Sequence, residues 1–207
     1  FAEYHKPTLL QQRLQTHREG YNDPWLLAAQ RCVRTERYKL VEREEVVAVG
    51  ETGLDYFRDF SPRDAQRSAF QRHMEIAADT GMPMFLHLRE AHEDFHAMLR
   101  ESRDRLSDVV VHCFTGNREE LHDYLDLDCH IGITGWICDE RRGTHMKEYL
   151  GDIPANRPMI ATDAQYLQPR NLRPKVKSHR NEPRWLPWIL GTLAAAFAAS
   201  GRFEEAV

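Results

Sequence analysis

A chain of 207 residues, 42% hydrophobic and 29% charged, has the apolar content of one packed domain and too much of it for intrinsic disorder. Nothing in it approaches the roughly 20 consecutive apolar residues that span a bilayer, so no membrane partner is expected. The net charge of −4 argues against bulk coating of a nucleic acid and leaves a local basic patch as the electrostatic route to one.

Residues 1–45 are atypical of the rest of the chain. They lack an initiator methionine and a basic-then-apolar secretory segment, so Phe1 is not expected to be the natural start. The stretch 23–42 reads as one helix. Four cysteines, Cys32, Cys113, Cys129 and Cys138, show no CxxC pairing, which fits free thiols in a reducing, cytoplasmic setting.

From residue 46 a short apolar run ending in a polar residue alternates with a helical segment. The runs cover 46–51, 82–87, 109–112, 130–135 and 158–163. Near-continuous apolar runs suit strands buried on both faces, and strand–helix alternation implies a parallel α/β fold, a barrel or a doubly wound sheet. Ser61-Pro62-Arg63-Asp64 reads as a capping box, followed by a stripe of Ala65, Ala69, Phe70, Met74, Ala77 and Ala78, with Gly81 and Pro83 closing it. A second helix follows His87 with Ala91, Phe95, Met98 and Leu99 inward. Others are predicted over 117–127, 139–150 and 183–199. Trp185, Trp188 and Phe197 read as core packing on the last.

Four of the five runs finish in residues that bind metals: Glu51, His87, His112 and Asp163. Strand ends of successive βα units converge on one mouth in a closed barrel. Two imidazoles and two carboxylates suit Zn²⁺, Mn²⁺ or Mg²⁺, with an open position for a water to be activated. One motif competes: His92-Glu93-Asp94-Phe95-His96 fits H-E-x-x-H, but with no third ligand at metalloprotease spacing it reads as an exposed helix face. A basic, proline-interrupted segment carries Arg170, Arg173, Lys175, Lys177, Arg180 and Arg184.

Several of these residues also carry a resemblance. Gly50-Glu51-Thr52-Gly53-Leu54-Asp55, Phe85-Leu86-His87, His112-Cys113-Phe114-Thr115-Gly116, Gly132-Ile133-Thr134-Gly135-Trp136, Thr162-Asp163-Ala164 and Arg180-Asn181-Glu182-Pro183 resemble, in order, the signature of TatD deoxyribonucleases, and Ile137-Cys138-Asp139-Glu140-Arg141-Arg142-Gly143 is similar to its proteobacterial branch. The resemblance covers residues 45 to about 190. It implies a single TIM-like (β/α) barrel domain of the metal-dependent hydrolase superfamily over 1–207. That barrel is incomplete in this chain, since 1–45 match none of the three strands that precede the Glu51 strand in the family. Carried over, Glu51, His87, His112 and Asp163 are metal ligands, with Asp163 and Glu51 also handling the proton of the attacking water. Arg141, Arg142 and Arg180 would bind the phosphate backbone of a DNA substrate. The implied activity is hydrolysis of DNA phosphodiester bonds as an exonuclease. One departure stands inside the motif: the family usually has glutamate where this chain has Ala161. That loss, with the missing strands, supports an alternative, an impaired homologue that binds nucleic acid or a protein without cleaving. A third is a related metal hydrolase acting on another substrate.

Overall fold

The structure, a computed structural model, describes residues 46–202. The helix predicted over 23–42, the histidines His5 and His17, and Cys32 lie outside the described residues.

Five strands form one sheet in sequential order, every pair parallel: β1 (Val49–Asp55), β2 (Met84–Arg89), β3 (Val109–His112), β4 (His130–Ile133) and β5 (Pro158–Ile160). Helices α1 (Arg63–Thr80), α2 (His92–Ser102) and α3 (Arg118–Asp126) make the crossovers, and α4 (Leu186–Ala199) follows β5. Within the described residues β1 and β5 have one neighbour each, so the sheet is open there.

Alternation along the strands divides the sheet into two faces. Leu54, Met84, Leu86, Val109, Val111, Ile131 and Ile133 are fully buried and form the core with Phe70 and Met74 of α1, Phe95 and Leu99 of α2, and Leu121 and Tyr124 of α3. Phe70 and Phe95 stack with centroids 5.0 Å apart, joining α1 to α2. Each large side chain buried this way contributes about 1.5–3 kcal/mol. The opposite face carries Gly53, Asp55, Phe85, His87, Val110 and His112. The register pairs Gly53 with His87 and His87 with His112, so the two histidines stand side by side. Glu51 joins this face through a bulge, because the pairing shifts between Gly50 and Thr52 and leaves Glu51 as the extra residue.

Local signals held in part. Gly81 closes α1 with φ 69°, and Asn117 with Glu120 forms a full capping box at α3. The capping box expected at Ser61 does not form. Pro62 stands at the N-cap without a side-chain bond, and Gln66 instead reaches back to the Ser61 carbonyl and accepts from the Asp55 N–H. Ala65 and Ala69 are exposed, since α1 turns its Phe70–Ala77 side to the sheet. The helix predicted over 139–150 is replaced by short 3-10 turns at His145–Glu148 and Leu150–Asp152. Asp139 directs its carboxylate to Arg141 and Arg142 and its carbonyl to Gly143, which curls the chain into a turn before a helix can start. In α4, Phe197 is core, while Trp185 and Trp188 pack edge to face on each other, half-buried. No helix among the described residues is long and apolar enough to cross a membrane.

Candidate active site

The predicted ligands form two pairs: Glu51 and His87, within β1 and β2, and His112, at the end of β3, with Asp163, beyond β5. His87 Nδ1 lies 3.0 Å from Glu51 Oε1, and His112 Nε2 lies 3.8 Å from Asp163 Oδ1. The first is a hydrogen bond; the second is too long for one. The His87–His112 register brings the pairs together on one face of the sheet.

Two strand ends were placed too early by the sequence. β1 runs on to Asp55 and β2 to Arg89, so Glu51 and His87 lie inside strands, and β5 stops at Ile160, three residues short of Asp163. The longer β1 brings in a residue the ligand set lacked. Asp55 shares the parity of Glu51 and Gly53, and its Oδ2 lies 3.1 Å from His87 Nε2. Both nitrogens of the ring are therefore held by carboxylates. Asp55 is itself fixed by the Arg58 backbone N–H at 2.8 Å and the Arg58 guanidinium at 3.2 Å. Burial pushes the Asp55 pKa upward, but the hydrogen bond from His87, the Arg58 N–H and the Arg58 guanidinium outweigh it and hold the carboxyl down at about 2. Its signal was legible: i and i+4 on one strand share a face.

Glycines make room for this packing. Gly53 has φ +150°, and a Cβ there would meet the His87 carbonyl oxygen at 1.9 Å; a Cβ on Gly132 would meet the His112 Cα at 2.9 Å. The chain beyond β3 and β5 is held in the left-handed region at Cys113 (φ 49°) and Asp163 (φ 50°), next to and at a predicted ligand. Non-glycine residues cost about 1–3 kcal/mol there and cluster at functional sites.

His112 is 5% exposed, with the Phe85 ring tilted against it at 4.5 Å between centroids, and its Nδ1 is buried with no hydrogen-bond partner among the described residues. Asp163 is seated from behind. Asn181, 1% exposed, donates from Nδ2 to the Thr162 carbonyl at 2.6 Å, and its own backbone N–H bonds the Gln165 carbonyl at 3.0 Å. Asn181 stands in the Arg180–Pro183 motif, but no spacing could show that it closes on Thr162.

The basic residues divide. Arg141 and Arg142 line a cavity of ≈ 350 Å³ with Arg170, Lys175 and His179, beside Gly135 and Leu167. Both are tied to buried Asp139 at 3.0 Å, and Arg170 pairs with Glu140 at 2.8 Å. The Arg141 hydrogen bond, ahead of the opposing effect of burial, holds the Asp139 carboxyl far below the carboxylate range. Arg180 is exposed and does not line this cavity; its carbonyl accepts from Gln168 Nε2 at 2.9 Å.

Known proteins resemble this chain in sequence and in fold. Residues 23–201 match the profile of a family described as TatD related DNase. A protein of Enterobacter lignolyticus named 3'-5' ssDNA/RNA exonuclease TatD is 49% identical over 170 residues, 82% of this chain. One of the same name from Escherichia coli is 51% identical over 156 residues, 75% of this chain. The chain spans 64% and 60% of those relatives' lengths. A solved hydrolase TatD family protein from Entamoeba histolytica superposes with TM-score 0.65 at 26% identity, over 95% of this chain and 68% of that one. A TatD homologue from Escherichia coli gives 0.68 at 23% identity, over 91% and 70%, a likeness of fold. The fold is accordingly of the TIM-like barrel hydrolase class.

Proposed function

We infer that this chain, which belongs to the TatD related DNase family, is a divalent-metal-dependent exonuclease that hydrolyses phosphodiester bonds at the ends of single-stranded DNA or RNA. The observation that supports the reading is that Glu51 with His87, and His112 with Asp163, form two close pairs on one face of the sheet, linked through the His87–His112 register. The relatives' printed names support the substrate class.

The residues present fit a cation. His112 Nδ1 is buried without a partner among the described residues, as a ring nitrogen that meets an ion or a water would be, and Nε2 stands 3.8 Å from Asp163, too far for a hydrogen bond. The donor set mixes imidazole and carboxylate, which suits Mg²⁺, Mn²⁺ or Zn²⁺. When bound, the ion supplies Lewis acidity toward a phosphoryl oxygen and acidifies a water. Glu51 and His87 would hold it from β1 and β2, and His112 and Asp163 from β3 and the turn after β5. Asp55 orients His87 through the ring nitrogen turned away from Glu51, which fixes the tautomer and the ring plane. Asp163 and Glu51 would take the proton of the attacking water. Arg141 and Arg142, with Arg170 and Lys175, give the adjoining cavity a positive wall for phosphate, and exposed Arg180 could meet the backbone farther out. The thiols of Cys113, Cys129 and Cys138 support a cytoplasmic setting.

The test is incubation of the full chain with end-labelled single-stranded DNA and Mg²⁺ or Mn²⁺. Mononucleotides that vanish in Asp163→Ala support the reading. Tight binding without product, the outcome that Ala161 favours, replaces it with a binding function; product that persists in Asp163→Ala moves the chemistry elsewhere.

A further inference from the structure

We propose that His92, His96 and Asp123 form a second cation site, of the zinc class, where α2 meets α3, apart from the ligand set at the strand ends. Among the described residues these are the three side chains whose ligand atoms all lie within 4.8 Å of one another. Donor atoms around a tetrahedral zinc, each at ~2.0–2.2 Å, stand about 3.3–3.6 Å apart, so small side-chain rotations close the set.

The geometry follows from helix spacing. His92 and His96 are i and i+4, so their rings share one face of α2, and they lie parallel within 2° with centroids 5.6 Å apart. That face is turned to α3, not to open solvent as the sequence suggested, and both rings are half-buried against Tyr124. α3 supplies the third donor: Asp123 Oδ2 lies 3.0 Å from His92 Nε2. The missing partner of the H-E-x-x-H pattern therefore comes from the next helix, outside metalloprotease spacing. Glu93, the general base of that pattern, is exposed, so the site is read as a binding site without peptidase chemistry.

A further contact points the same way. The buried Tyr124 hydroxyl lies 2.7 Å from His92 Nδ1. A phenol both donates and accepts, so it can take the Nδ1–H when Nε2 turns to a metal, which is how ligating imidazoles are usually held. Two imidazoles and a single carboxylate favour Zn²⁺ or Co²⁺ over Mg²⁺ and Ca²⁺, which want oxygen donors. Asp123 is 44% exposed, which leaves an entry path and a position for water. An ion here would pin α2 to α3, the helices that follow the strands carrying His87 and His112.

The experiment uses the full chain with His87→Ala, His112→Ala and Asp163→Asn combined, so that the strand-end ligands are gone. With Zn²⁺ as titrant, this protein should bind one equivalent, gain melting temperature, and show the intense visible bands of tetrahedral Co²⁺ when cobalt replaces zinc. Adding His96→Ala should abolish the bands and weaken Zn²⁺ binding about 100-fold or more, and Tyr124→Phe should weaken it ~10–100-fold. Should the combined variant not fold, His96→Ala alone in the unaltered chain must lose one zinc equivalent while nuclease activity with Mg²⁺ is kept. Zinc binding unaffected by His96→Ala and Asp123→Asn overturns the proposal, and does so whether or not the chain proves to be a nuclease.

Discussion

His112 and Asp163 face each other across 3.8 Å, Nε2 to Oδ1, with both side chains under 10% exposed. At this gap the two do not hydrogen-bond each other, and the other ring nitrogen of His112, Nδ1, is buried without a partner among the described residues. Asp163→Asn keeps the side-chain volume and removes the charge. We expect mononucleotide release to fall about 10³-fold, within the range for loss of a positioned proton acceptor. On the proposed reading His112→Ala removes a ligand, and it should raise the Mn²⁺ needed for binding by at least ~100-fold. Manganese titration followed by electron paramagnetic resonance reads the second effect directly.

Asp55 acts one step back, through His87. Its carboxylate holds Nε2 at 3.1 Å while Glu51 faces Nδ1 at 3.0 Å. Asp55→Asn should therefore loosen the ring rather than remove a ligand. The metal concentration for half-maximal activity should rise ~10–100-fold, with most of the rate recovered at saturating metal. Asp163→Asn should show no such recovery. An Asp55→Asn variant whose rate falls without any change in metal dependence would mark a purely structural role.

The five strands were legible because parallel strands announce themselves as apolar runs, and Glu51, His87 and His112 stand in or at the end of them. Asp55 escaped because the apolar run stops at Gly50 while the strand does not. Thr52 and Gly53 keep the ladder going through a bulge that hydropathy cannot register. Asn181 and Asp123 escaped for another reason. Each acts across a distance set by tertiary packing, on Thr162 and on His92, and nothing in local spacing encodes those contacts. The false helix over 139–150 had the composition for one, and lost it to the Asp139 carboxylate, which captures two arginines in a turn.

Gly53 tests the strand packing independently of chemistry. Its φ of +150° and the 1.9 Å approach of the His87 carbonyl to an added Cβ leave no room for alanine. Gly53→Ala should destabilise the fold by about 3 kcal/mol or more, combining an unfavourable backbone region with a clash against main chain. A urea midpoint that falls, with unchanged slope, would report a loss of stability and not of compactness. Gly81→Ala is the contrast. Nothing lies within 4 Å of an added Cβ, so only the φ of 69° opposes it and the loss should be nearer 1 kcal/mol.

Asp139 links stability to acid. It is 2% exposed, and Arg141 and Arg142 each reach it at 3.0 Å while Arg170 stands at 3.6 Å. Because the hydrogen bond from Arg141, against the opposing effect of burial, lowers its pKa below the unfolded 3.8, the folded chain prefers the charged form. The stabilisation is therefore complete above about pH 4 and drains away as pH falls through the folded value. Asp139→Asn should cost about 2 kcal/mol near neutral pH, the scale of hydrogen bonds to charged groups. The full cost of breaking a buried ion pair is not expected, because the arginines are 44–59% exposed and rehydrate when released. Unfolding curves of the two proteins should run parallel from pH 6 to about pH 4 and converge as the buffer is taken from pH 4 toward pH 2. A gap that stays constant over that range would mean that Asp139 acts by shape and not by charge. The same substitution frees Arg141 and Arg142 at the cavity wall, so affinity for single-stranded DNA should rise or hold at pH 7 even as stability drops, with a steeper dependence on salt.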